Sequence, residues 1–120
     1  MSRYVDGFVV PVPAKNIERY REMAEKAGAI WKEHGALDYY ECVGDDLDID
    51  KVVSFKTLAD TSEDETVVFA FIVYESREHR DKVNEAVMSD PRLKESMNDC
   101  ADIFDYTKMA FGGFKTIVQF

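Results

Sequence analysis

Cysteine, histidine, proline and positive charge are all scarce in this chain, and each scarcity excludes something. Two cysteines among 120 residues, Cys42 and Cys100, allow one bridge at most and form no Cys-x-x-Cys pair. Two reduced thiols in a cytoplasmic protein are the expectation. The histidines number two, His34 and His79, with no Cys or carboxylate at ligand spacing. That argues against zinc, and nothing singles out either ring as a haem ligand. No metal and no cofactor is expected. Lys and Arg total 15 against 24 Asp and Glu, a net charge of −9. The two halves carry −4 and −5, so no basic arm stands out. Binding to phosphates needs clustered cations, which disfavours nucleic acid and anionic membrane as partners. The longest uncharged apolar run, Thr66–Tyr74, has nine residues, well short of the ~20 of a membrane span. The opening Met1–Asp6 lacks an apolar signal core. There is no G-x-S-x-G elbow, Walker loop or G-x-G-x-x-G fingerprint.

What is present suits one globular domain spanning residues 1–120. Hydrophobic residues make up 46% and charged residues 32%, enough to build a core without staples. Residues 4–12 are rich in β-branched and aromatic side chains and read as a strand; Pro11 points to an edge or an irregular end. A helix follows from Pro13 to about His34. Its stripe of Ile17, Tyr20, Ala24, Ala27 and Trp31 repeats at three and four, and Gly35 stops it. Residues 37–44 read as a second strand and Asp45–Asp50 as an acidic loop. Val52–Ala59 reads as a further strand. Thr66–Tyr74 is a strand apolar on both alternating faces, so it must be covered twice. Ser76 and Asp90-Pro91 announce helices at about 77–89 and 91–98. Residues 99–108 read as a loop. Met109–Phe120 reads as a last strand, with Gly112-Gly113 as a bulge or a close backbone approach.

The order strand, helix, strand, strand, helix, strand is the β-α-β-β-α-β pattern of a ferredoxin-like α+β fold, an antiparallel sheet with helices on one face. The doubly apolar strand then asks for a cover on the other face. Two sheets stacked face to face would supply it, which predicts a homodimer.

The opening YVDGFVVPVP, the turn HGAL with the following YEC, the segment VVFAFIVYESREHRDKVNEAVMSDPRLK and the ending KMAFGGFKTIV are similar to the YbaA-like family of bacterial proteins, a domain family of unknown function. MSDPR and FGGF are the most specific stretches, and the match spans nearly the whole chain. The resemblance implies membership of the dimeric α+β barrel superfamily. Relatives there include cofactor-free monooxygenases, haem-degrading enzymes and small-molecule isomerases, which place a ligand between sheet and helices. No motif specific to any of these is present, so no catalytic residue carries over.

Candidate chemistry gathers on a few side chains. Trp31 closes the apolar face of the first helix. Tyr40 and Cys42 share one face of the second strand, Tyr39 and Glu41 the other. With Tyr74, these aromatics could line a small-molecule cavity, set against ordinary core packing. Glu41, if buried, would titrate high and could serve as acid or base; Asp6, beside Gly7, raises the same question. His34, at the end of its helix, reads as a cap or as a group at a pocket mouth. Arg77, Arg80 and Arg92 read as solvent-face residues. The Asp46–Asp50 run has Lys51 and Thr57 where a calcium loop needs Gly and Glu, so it reads as a solvated acidic loop. The expected ligand contacts are Trp31, His34, Tyr40, Glu41 and Tyr74. The expected function is small-molecule binding by a homodimer. A non-catalytic protein-interaction module is the alternative, and RNA binding is the least favoured.

Overall fold

The computed structural model describes residues 2–120. Four strands, β1 (Tyr4–Pro13), β2 (Asp38–Val43), β3 (Glu65–Tyr74) and β4 (Ala110–Lys115), form one antiparallel sheet in the order β2-β3-β1-β4. Four α-helices join them: α1 (Ile17–Glu33), the single turn α2 (Phe55–Leu58), α3 (Arg77–Met88) and α4 (Pro91–Asp99). Among the described residues, no helix is long and apolar enough to cross a membrane.

The long helices lie on one face of the sheet, as the apolar stripes require. Tyr20, Ala24, Gly28 and Ile30 of α1 are buried there, and Ala27 and Trp31 pack beside them. Val83 and Val87 of α3 and Leu93 of α4 complete this layer over Val10, Val12, Val68, Ile72 and Tyr74. The caps form where the side chains predict them. Ser76 Oγ accepts from the His79 amide at 3.0 Å, and Asp90 accepts from the Arg92 amide at 2.9 Å. Gly35, at φ +116°, takes the left-handed turn that ends α1.

β3 shows why it is apolar throughout. Val68, Ala70, Ile72 and Tyr74 are buried beneath the helices. Val67, Phe69, Phe71 and Val73 alternate onto the other face. Segment 44–62 covers only one end of that face, where Leu47 and Phe55 approach Val67 and Phe69. The rest is open and aromatic. Tyr40 is 55% exposed and stacks on Phe71 at 5.0 Å, and Phe114 is 63% exposed.

Three expectations change. Val52–Ala59 is not a strand. Ser54 Oγ accepts from the Lys56 amide and starts the one-turn α2, leaving Val52, Val53 and Leu58 exposed. Gly112 and Gly113 form no bulge; they pair in register with Gly7 and Asp6. The close approach is the real reason for glycine, because a Cβ on Gly113 would fall on the Tyr4 ring. Pro11 is not on an edge strand, since β1 lies between β3 and β4. But pairing with β4 ends at Val9, so its missing N–H costs that ladder nothing.

Candidate functional site

Alternation along β2 turns Tyr39 and Glu41 toward the helices. Tyr20, projecting from α1, comes down onto Glu41. Its hydroxyl donates to Glu41 Oε1 at 2.8 Å, and the Tyr39 hydroxyl donates to Oε2 at 2.6 Å. Each carboxylate oxygen thus accepts from one phenol and keeps lone-pair capacity for another donor. Tyr39 fits only because residue 28 has no side chain. A Cβ on Gly28 would lie 2.8 Å from the Tyr39 ring.

Burial pushes the Glu41 carboxyl above its ordinary value of 4.5, against the lowering effect of the Tyr39 and Tyr20 hydrogen bonds. Burial, followed by the negative charge of Glu41, drives both phenols far above their ordinary 10.0, so they stay protonated and donate. Among the described residues, no cation pairs with Glu41. Arg21 is bound to Glu18 and Glu25, and Lys32 donates to the Leu37 carbonyl.

Glu41 also stands where empty spaces meet. A cavity of about 150 Å³ lies between α1, α4 and the sheet, its aromatic wall made by Phe8, Tyr20, Trp31, Tyr39 and Phe104. A groove of about 400 Å³ runs along the outside, between α1 and β2, past Ala24, Gly28 and Lys32. A third depression, about 200 Å³, reaches Tyr20, Cys42 and Val68. Glu41 lines all three.

A fully buried carboxylate on the same face is built differently. Asp6, on β1, is 1% exposed. Arg80 Nη1 donates to its Oδ1 at 2.8 Å, and Asn84 Nδ2 approaches Oδ2 at 3.4 Å. The Asn84 carbonyl oxygen accepts from Tyr74 Oη and Trp31 Nε1, each at 3.1 Å. Burial raises the Asp6 carboxyl, and Arg80 with Asn84 pulls it back. The Arg80 side chain is 13% exposed and its guanidinium lies over the Tyr4 ring at 4.9 Å. The solvent-face reading of Arg80 is therefore corrected. Arg80 reaches inward because Asp6 would otherwise be buried alone.

The residues singled out from sequence fall into separate places. Trp31 and Glu41 line the same cavity. Tyr74 is buried in the Asp6–Arg80–Asn84 network. Tyr40 lies on the open face of the sheet, across from the cavity. His34 Nε2 sits 2.9 Å from Asp90 Oδ2, where it ties the end of α1 to the start of α4. Arg92 holds that same carboxylate well below the usual range, ahead of the His34 contact. Tyr39, grouped with the aromatics in the sequence, also lines the cavity, and Tyr20 and Phe104 join it without having been singled out for it. Tyr20 carried a signal: a phenol in an otherwise apolar helix stripe needs a hydroxyl partner inside. Cys42 lies on the open face and Cys100 packs on the helix side, so the sheet separates the two thiols.

Solved structures share this fold. A Nitrosomonas europaea protein provisionally named an antibiotic biosynthesis monooxygenase superposes with a TM-score of 0.64 at 11% identity, covering 96% of this chain and 90% of that one. A dimeric ferredoxin-like protein from an uncultured marine organism gives 0.53 at 11% identity, with both chains covered completely. The fold is ferredoxin-like α+β. Over 117 residues, 98% of each chain, the sequence is 47% identical to the uncharacterized protein YbaA of Escherichia coli K12. The profile of the protein family of unknown function DUF1428 matches residues 3–106. With its first strand, its helices and its Glu41 site all inside that match, the chain belongs to the DUF1428 family.

Proposed function

We propose that the protein is a homodimer, joined through the open face of its sheet, that binds a small molecule in the cavity between helices and sheet with Glu41 as the polar contact. One observation carries the binding reading: a half-buried carboxylate, held by two phenols and given no cation, lines an aromatic cavity. A group that only stabilised the fold would be satisfied as Asp6 is. Apolar cavities with a single fixed polar group are the usual form of small-molecule sites.

The dimer rests on the other face. Tyr40, Phe69, Phe71 and Phe114 form a continuous aromatic surface with Val5, Val9 and Val73, larger than the scattered apolar residues of an ordinary monomer surface. A second copy of the same surface is its natural cover, because an aromatic sheet face is complementary to itself. The marine ferredoxin-like neighbour is itself described as dimeric.

Native mass spectrometry at low collision energy tests both parts. The expected result is a dimer, reduced to monomer by Phe71→Glu with the circular dichroism spectrum unchanged. A wild-type monomer at micromolar concentration overturns the interface. For the cavity, xenon or benzene uptake followed by NMR should perturb Trp31 and Tyr39, and Ala27→Leu should abolish the effect. A protein that takes up neither probe overturns the pocket.

A further inference from the structure

We infer that the ligand of this site is an organic cation: a protonated amine carried on a small apolar or aromatic body. The inference rests on the pocket reading above and adds the charge of the ligand.

Electrostatic bookkeeping around Glu41 leads there. Its two oxygens accept one hydrogen bond each, from Tyr20 and Tyr39, and both donors are neutral. Neutral donors orient a carboxylate without balancing its charge. The cations nearest in sequence and space are engaged elsewhere. Arg21 and Lys32 line the outer groove that Glu41 also borders, but Arg21 bridges Glu18 and Glu25 and Lys32 is bound to the Leu37 carbonyl. The negative charge is therefore left open toward the cavity.

The cavity wall points to the same ligand. Phe8, Tyr20, Trp31, Tyr39 and Phe104 surround the space that Glu41 borders. Aromatic faces attract cations through their quadrupoles, and more strongly when desolvated. An ammonium beside Glu41 would gain a charge-assisted hydrogen bond and aromatic faces around it. An anionic ligand would meet repulsion from Glu41 and from the −9 net charge of the chain. A neutral ligand would leave the half-buried charge unbalanced. Size limits the body: about 150 Å³ accommodates roughly one benzene ring. A longer chain could extend past Tyr39 into the outer groove.

Three probes of one shape test this: benzylamine, benzyl alcohol and benzoate, titrated into the full-length protein at pH 7 and followed by NMR. Benzylamine should bind at least tenfold more tightly than benzyl alcohol, and benzoate should not bind. Glu41→Gln keeps the side-chain shape and should bring benzylamine down to the level of benzyl alcohol. Tyr39→Phe removes a hydroxyl but no charge and should retain the preference for the amine. If benzyl alcohol binds as tightly as benzylamine to the wild type, the cation inference falls while the pocket stands. If the preference survives in Glu41→Gln, Glu41 is not its source and the inference falls again. If none of the three probes binds and xenon also stays out, pocket and inference fall together.

Discussion

Asp6, buried, and Glu41, half-buried, lie on the same side of the same sheet, two strands apart, and they have been treated in opposite ways. Asp6 lies under α3 and meets a guanidinium at 2.8 Å, an amide, and behind the amide a phenol and an indole. None of the cavities around Glu41 includes it. Glu41 lies under α1, meets two phenols and no cation, and borders three empty spaces. Burying a carboxylate costs several kcal/mol before compensation. At Asp6 the chain compensates from its own residues, and the result is a closed joint between β1 and α3. At Glu41 the two phenols supply hydrogen bonds but no counter-charge, which is the observation the proposed ligand rests on. The comparison gives each carboxylate a different signature under mutation.

The largest effect is expected at Asp6. Asp6→Asn keeps the volume but leaves the Arg80 guanidinium buried without its main counter-charge. Breaking a buried pair in this way costs about 3 kcal/mol, at the low end for such pairs. The low end applies because Asp81 still accepts from Arg80 Nε at 2.8 Å and the Tyr4 ring still faces the cation. Urea unfolding measures the loss. Adding Arg80→Met to Asp6→Asn should restore much of it, since the stranded charge is then gone. If Asp6→Asn unfolds at the wild-type midpoint, Asp6 is no structural joint and the contrast with Glu41 disappears.

The opposite sign is expected at Glu41. Glu41→Gln removes a poorly compensated charge while leaving groups that can accept from and donate to Tyr20 and Tyr39. It should stabilise the apo protein at pH 7, because the burial that raises the Glu41 carboxyl penalises its charged form. The gain should depend on pH. The Glu41 carboxyl titrates higher in the folded chain than in the unfolded one. The folded state therefore holds its proton over the interval between those values, and wild-type stability falls as pH rises through it. The advantage of the Gln variant should be full above the raised value and shrink as pH falls toward 4.5. The titratable and charged groups that share a wall with Glu41 are Tyr20, Arg21, Glu25 and Lys32 from α1 and Tyr39 from its own strand; Glu25, like Asp6, is common to both proteins. The phenols remain neutral and Arg21 remains charged across that range. Asp6 also titrates upward, but it is common to both proteins and cancels in the difference. Thermal melts of the two proteins from pH 4 to pH 8 show the trend directly. A variant less stable than wild type at pH 7 would mean that Glu41 is as well compensated as Asp6.

Half of this contrast was legible from sequence, and the division follows range along the chain. Periodicity put Tyr39 and Glu41 on one face of β2 and Tyr40 on the other, because alternation in a strand is a local property. It could not say which face met the helices, so Tyr40 entered the candidate site although it stacks on Phe71 across the sheet. Helix caps at Ser76 and Asp90 were readable for the same local reason. Arg80 was not. Its partner is 74 residues away on β1, and nothing beside it in the chain separates it from solvent-facing Arg77. Val52–Ala59 misled in another way. Its apolar residues suggest a strand, but the Ser54 cap turns the chain into α2 instead. His34 marked a helix end correctly as a cap position, and it took the fold to show that its ring goes to Asp90 rather than to the cavity.

The smallest expected effect is the most selective, and it lies in the fit of Tyr39 over Gly28. A methyl group at position 28 would lie 2.8 Å from Cδ1 and Cε1 of the Tyr39 ring, so the ring must move. Overpacking of this kind costs about 1 kcal/mol or more in a closed core. Tyr39 borders the outer groove and has somewhere to go, which keeps the cost near that lower bound. Against it stands the gain of replacing glycine by alanine inside a helix, again about 1 kcal/mol. The two should nearly cancel, leaving the unfolding midpoint of Gly28→Ala close to wild type. Global stability therefore hides the substitution, but Glu41 should register it. Displacing the Tyr39 hydroxyl from Oε2 removes one of the two hydrogen bonds that hold the carboxyl down, so its titration should move further upward. Carboxyl ¹³C chemical shifts followed against pH measure that movement, and benzylamine affinity should fall several-fold with it. An unchanged Glu41 titration in a variant of unchanged stability would show that Tyr39 is a wall of the groove and no part of the carboxylate's support. The site would then rest on Tyr20 alone, and the gap between Glu41 and Asp6 would be wider still.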